Sequence, residues 1–265
     1  MAAGRSLVPG SVLTGVSAGV LVWVLLWQSG FGRTTAGQHA WNPAWPSRAV
    51  TESTVPLGTP APVTHPSPAY QFARGPDAGP VGFDPCRTIH YVMRRTGMPP
   101  GGQLIVTEAM RRLSRATGLV FAYDGETNEA PHAERPATNK PLYGDRWAPV
   151  LIAWSDPAET PDLDGDVAGL GGGVSVSAGG SPDVYVSGSL TLDALQLGGM
   201  LKLAAGPELV RAVVLHELGH VVGLGHIDDP SQLMSPDLTQ AVTDYADGDL
   251  TGLAILGRGP CAPGV

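Results

Sequence analysis

The sequence predicts an α+β domain carried behind an apolar N-terminal segment and a proline-rich stretch. Three observations lead there. From about residue 83 the apolar pattern runs strand, helix, several strands, helix, an order that suits an α+β arrangement. The 265 residues are 43% hydrophobic and 15% charged, enough apolar mass for one core. Gly (36 residues) and Pro (25) make up nearly a quarter of the chain, which points to a folded part and an unfolded part in one polypeptide.

The elements follow in order. Leu7 to Trp27 carries no charge and closes with the run VLVWVLLW, and about 20 apolar residues suffice to cross a bilayer as a helix. Arg5 precedes the run and Arg33 is the first charge after it, so residues 1–33 read as a membrane-spanning signal anchor with the remainder outside the cell. A signal peptide cut after Ala36 is the other reading, and it exports the same remainder. Residues 34–82 hold nine prolines among Ser, Thr, Ala and Gly, with no period of 2 or 3.6. Such a stretch is expected to be a disordered, semi-rigid linker.

The domain is then expected over 83–265. Strands are predicted at Thr88–Met93, Leu119–Tyr123, Pro149–Trp154, Val174–Ser177 and Val184–Ser187. A helix is predicted over Gly102–Thr117, with Ile105, Ala109, Leu113 and Ala116 on one face and Gly118 as its stop. A second helix starts at Gly206-Pro207-Glu208, where proline suits the first helical position, and runs through Leu209, Val213, Leu218 and Val221. A last helix covers about Asp249 to Leu256.

Charge and cysteine count exclude several function classes. The net charge of −8 and pI near 5.2 argue against a nucleic-acid binder held by phosphate contacts. The two cysteines, Cys86 and Cys261, are too few for a four-cysteine metal site. In an exported chain they bracket the domain, which most simply makes them a disulfide. Closing so long a loop is worth roughly 4–5 kcal/mol in the chain-entropy account.

The chemistry gathers on the second helix, at His216-Glu217-Leu218-Gly219-His220. Histidines at i and i+4 project from one face a turn apart, so both imidazoles can reach one metal ion. Glu217 points about 100° away from His216 yet can approach a water at that ion without ligating it. A third ligand is available in His226. In an unbroken helix it would face away, but Gly223 can take a positive φ, end the helix and turn the chain back. Three histidines leave the fourth position of a tetrahedral ion open, the mark of a catalytic site.

Eight residues beyond His226 stands Met234, followed by Ser235-Pro236. The pattern His216-Glu217-x-x-His220-x-x-Gly223-x-x-His226 with Met234 resembles the metzincin clan of zinc endopeptidases. Pro236 is similar to the matrixin pattern, in which a proline there lines the pocket for the side chain after the cleaved bond. The resemblance implies a zincin domain with a twisted mixed sheet, an active-site helix and a C-terminal helix. It also implies a methionine turn at Met234 beneath one catalytic Zn2+ held by His216, His220 and His226. Glu217 would be the general base in cleaving a protein or peptide substrate, which would lie as an added strand on a sheet edge, with Val174–Ser177 the candidate edge.

The sequence departs from the matrixins in places. Ile227 stands where they have serine, and Leu238 where they have tyrosine, which leaves the subfamily open. Only His90 and His132 remain in the domain outside the motif, too few for the second, structural zinc of matrixins. His90 therefore reads as an ordinary half-buried histidine. Cys86 lacks the context of a zinc-capping propeptide cysteine, which favours the disulfide. The acidic loop Asp156, Glu159, Asp162, Asp164 and Asp166 lacks the EF-hand spacing and reads as solvated, with Ca2+ as its alternative. Two other functions stay open: a non-catalytic, zinc-stabilised surface binding module, and a hydrolase of cell-wall peptides.

Overall fold

The computed structural model describes residues 22–23, 46, 53–75, 79–177, 183–238, 241–263 and 265. In chain order the elements are β1 (Val22–Trp23), β2 (Gln71–Phe72), β3 (Ile89–Arg94), α1 (Gly102–Thr117), β4 (Phe121–Glu126), α2 (Lys140–Tyr143) and β5 (Val150–Ser155). They continue with β6 (Gly169–Val176), β7 (Val184–Asp193), α3 (Ala194–Met200), α4 (Gly206–Val222), β8 (Leu224–Gly225), β9 (Asp237–Leu238) and α5 (Asp247–Leu256).

The expected α+β domain is built around a mixed five-stranded sheet in the order β4-β3-β5-β7-β6. β3 is parallel to both β4 and β5, β5 is parallel to β7, and β6 returns antiparallel to β7 as an edge strand. Alternation decides which side chains face the helices. Ile89, Tyr91 and Met93 of β3 and Val150, Ile152 and Trp154 of β5 join one core with Val106, Leu113, Val213 and Leu253 of the helices. Val92, Leu151 and Ala153 point the other way and pack with Tyr143.

Most predicted elements form, with boundaries shifted by a few residues. α1 buries Val106, Ala109, Met110, Leu113 and Ala116, a wider stripe than the sequence reading gave it. The two short strands expected around Val174 and Val184 are instead a long pair of eight and ten residues. α3 was not predicted. Asp193 starts it by accepting the N–H groups of Leu195 and Gln196, satisfying donors that a short helix otherwise leaves exposed. The expected disulfide is present, Cys86 to Cys261, with Cα atoms 5.4 Å apart.

The proline-rich stretch departs from the expectation of a free linker. Residues 53–75 lie along the domain as an extended strap. Leu57 N–H donates to Pro85 O and Ala61 N–H to Arg115 O. Gln71–Phe72 pairs antiparallel with Leu224–Gly225, and Ala73 N–H donates to Gly223 O. At the end of α1 the strap passes so close that a Cβ on Gly118 would lie 2.5 Å from the backbone of Thr59 and Pro60. The strap's own hydrogen bonds are short-range, such as Tyr70 N–H to Pro68 O, so its place along the domain comes from these partners.

The membrane-spanning helix expected in residues 1–33 falls outside the described residues, save Val22–Trp23. Those two form a strand paired antiparallel with Asp237–Leu238, not a helix. Among the described residues no helix is long and apolar enough to cross a membrane.

Candidate metal centre

α4 runs through the core and is buried almost all round from Ala212 to Gly219. Pro207 occupies its first turn beside Glu208, whose charge suits the N-terminal end of the helix dipole. Its C-terminal cap is Gly223, with φ 118°, whose N–H bonds to the carbonyls of Gly219 and His220. A side chain there would face both the left-handed backbone and Val81 O, 2.4 Å from a Cβ. The chain turns back through β8, and His226 returns to the face that carries His216 and His220, as the sequence reading required.

The three Nε2 atoms form a triangle with every edge 3.1 Å. A tetrahedral zinc with bonds of roughly 2.0–2.1 Å holds its nitrogen ligands about 3.3 Å apart, so the triangle has the right size. The outer nitrogens fix the tautomers: His216 Nδ1 lies 2.7 Å from Leu233 O, and His220 Nδ1 lies 2.9 Å from Leu224 O. A carbonyl only accepts, so each Nδ1 carries the proton and each Nε2 turns a lone pair toward the others. Lone pairs converging in a buried place repel unless a cation sits among them.

Electrostatics keep these rings neutral, the form that binds metal. Burial, with neighbouring His220 and His226, holds His216 well below the ordinary histidine range. Burial likewise lowers His220. It brings His226 down to about 3, with a contribution from His220. Glu217 is fully buried beside them. Burial pushes its carboxyl up to about 8, opposed by a hydrogen bond from the Gly171 N–H. Its Oε1 has no hydrogen-bond partner among the described residues.

The methionine turn sits underneath. Met234 is buried, and a Cβ on Gly219 would lie 2.5 Å from its Sδ, so the turn packs directly under α4. Met234 O accepts from Ile227 N–H, tying the turn to the residue after His226. Pro236 is half-buried two residues on, just before β9.

Two residues that support the site were not singled out from the sequence. Asp249, at the start of α5, accepts the N–H groups of Leu233 (2.7 Å) and Met234 (3.2 Å). Tyr245 is buried and donates its hydroxyl to Leu215 O at 2.7 Å. An acidic residue in the first turn of the last helix was the signal for Asp249. Tyr245 had none, since its partner is a backbone carbonyl distant in sequence.

The other sequence candidates lie elsewhere. His90 is partly exposed and bonds Asp124 at 2.7 Å, and His132 Nδ1 accepts from Glu134 N–H. In the acidic loop, Glu159 is committed to Arg94 at 2.7 and 2.8 Å, and Asp156 accepts the N–H groups of Ala158 and Glu159. Among the described residues, three metal-capable side chains converge at the histidine triad, and also at Asp84, Cys86 and Cys261, where the two sulfurs are already bonded.

Comparison with known proteins gives one family. The matrixin family model matches residues 178–256, a span that takes in β7, α3, α4, the three histidines, the methionine turn and α5. No curated protein matches the chain.

Proposed function

With residues 178–256 matrixin-like and its three histidines fitting the family's zinc motif, we propose that this protein is a zinc-dependent endopeptidase of the metzincin clan. One observation carries the reading: the Nε2 atoms of three histidines, His216 buried and His220 and His226 half-buried, converge at 3.1 Å beside the buried carboxyl of Glu217. His216, His220 and His226 would hold the ion. Bound zinc would supply Lewis acidity, polarising water and the scissile carbonyl.

The remaining work belongs to the chain. Glu217 takes a proton from the attacking water as the new C–O bond forms. It returns that proton to the amide nitrogen as the C–N bond breaks, so water is consumed and the carboxylate is regenerated. The substrate is a protein or peptide laid as an extended strand along β6, the free edge next to α4. The disulfide supports a site of action outside the cytoplasm.

Zinc-loaded protein is expected to cleave casein, and a chelator to abolish cleavage. Glu217→Gln should lower kcat by about 10²–10⁴-fold while one zinc stays bound, because the amide keeps the shape and loses the proton transfer. Unchanged cleavage by that variant would sink the mechanism. Solubilised peptidoglycan with intact casein would favour the cell-wall reading, and zinc binding without hydrolysis of either would favour a binding module.

A further inference from the structure

The reach of Glu217 is set from outside its helix. β6 crosses α4 with glycine at every second position facing the helix: Gly169, Gly171 and Gly173. A Cβ on Gly169 would lie 2.8 Å from Glu217 Cγ, 3.2 Å from its Cδ and 3.3 Å from Oε1. On Gly171 it would lie 2.2 Å from the backbone oxygen of Glu217 and 3.0 Å from its Cα. On Gly173 it would lie 2.8 Å from Val221 O, one helical turn further along. Two strand residues advance about 6.7 Å and four helix residues about 6 Å, so strand and helix stay in step over this contact. No side chain of β6 stands between the two backbones at these positions.

We propose that Gly169 and Gly171 are positioning residues for Glu217, each by a different contact. Gly169 leaves the volume that the stem and Oε1 of the carboxylate occupy. Gly171 lets the edge strand close onto the backbone of α4, which brings its own N–H to the carboxylate. The proposal rests on reading Glu217 as the proton carrier. It explains why a strand that should read as alternating apolar residues is written Gly-Leu-Gly-Gly-Gly.

The test uses Gly169→Ala and Gly171→Ala in the full chain, each with and without Glu217→Ala. Gly199→Ala is the control, since a Cβ there meets nothing within 4 Å. Both β6 variants should keep one zinc per chain with kcat reduced about 100-fold, the penalty for a misplacement near 1 Å, and Gly169→Ala, whose clash is with a side chain, should keep KM within about twofold of the parent. Thermal unfolding separates the two contacts. Gly169→Ala should lower Tm in the parent and not in the Glu217→Ala background, where the clashing side chain is gone. Gly171→Ala should lower Tm in both, because its clash is with backbone, and Gly199→Ala in neither. Parent-like kcat in Gly169→Ala, or the same loss of Tm with and without the Glu217 side chain, would overturn the proposal. Full activity in Glu217→Gln would remove the peptidase mechanism instead, and the thermal cycle would still report whether residues 169 and 217 meet.

Discussion

Asp249 links the last helix to the histidine triad through a short chain of hydrogen bonds. Its carboxylate is buried and also accepts Ala246 N–H at 2.9 Å, so three backbone donors depend on it. One of them belongs to Leu233, whose carbonyl fixes the His216 ring through Nδ1. Burial raises the Asp249 carboxyl, and the bonds from Ala246, Leu233 and Met234 pull against that rise. Removing the side chain strands buried N–H groups at about 1–3 kcal/mol each. Asp249→Ala is therefore expected to cost about 3 kcal/mol or more in denaturant unfolding. Because the effect passes to a ligand's orientation, zinc affinity should also fall about tenfold in a competitive titration. Unchanged zinc affinity in a folded Asp249→Ala would show that the Leu233 carbonyl holds His216 without this support.

Among the elements, α1, α4 and α5 were legible because helical periodicity and glycine stops are local signals, and the motif on α4 exposed its own geometry. Of β6 only the end from Val174 was, since the glycines that precede it erase the apolar alternation by which strands are recognised; Gly169, Gly171 and Gly173 lie against α4, which is distant in sequence. The connection from β4 to β5 was equally silent. It packs on the reverse of the sheet through Arg135, a buried guanidinium that bonds Ser187 Oγ, Gly188 O and both oxygens of Glu129. Burial alone would raise Glu129, but hydrogen bonds from Arg135, Tyr143 and Asn139 outweigh it and leave its carboxyl below the ordinary range. A folded value below the unfolded one means the carboxylate stabilises the fold above the unfolded value, about 4.3. That contribution disappears as pH falls through the folded value. Wild type should thus lose Tm as pH drops below about 4, and Glu129→Gln, already lacking the charge, should lose less over the same window. Parallel Tm–pH curves would exclude Glu129 from the acid response.

At the scale of the whole molecule, the two ends of the domain are tied to each other. Cys86, just before β3, is bonded to Cys261, just after α5, across 175 residues of sequence. The strap of residues 53–75 makes a second closure that composition could not reveal, because the contacts ordering it come from residues distant in sequence, Pro85 and Arg115 as well as Gly223, Leu224 and α5. Tyr70 lies against Gly252 of α5, where a Cβ would sit 3.1 Å from its ring, and Ser67 N–H donates to Thr251 Oγ1. Phe72 pairs with Leu224, and Ala73 N–H caps Gly223 O at the turn that delivers His226. Removing the strap would uncover those rings' partners and leave the Leu224–Gly225 backbone without its pairing strand, so the loop carrying the third histidine would lose its brace. A chain beginning at Gly79 is therefore expected to bind zinc more weakly and to unfold at a lower temperature than one beginning at Ser53, with the difference in Tm widened when zinc saturates both, because the weaker binder gains less from the ion. Hydrogen exchange at Gly225 and His226 should speed up in the shorter chain while exchange along α1 and β5 stays slow, since those elements close the core without the strap. Equal zinc affinity and equal exchange at Gly225 in the two chains would show that the strap only lies on the domain and does not hold its metal loop in place.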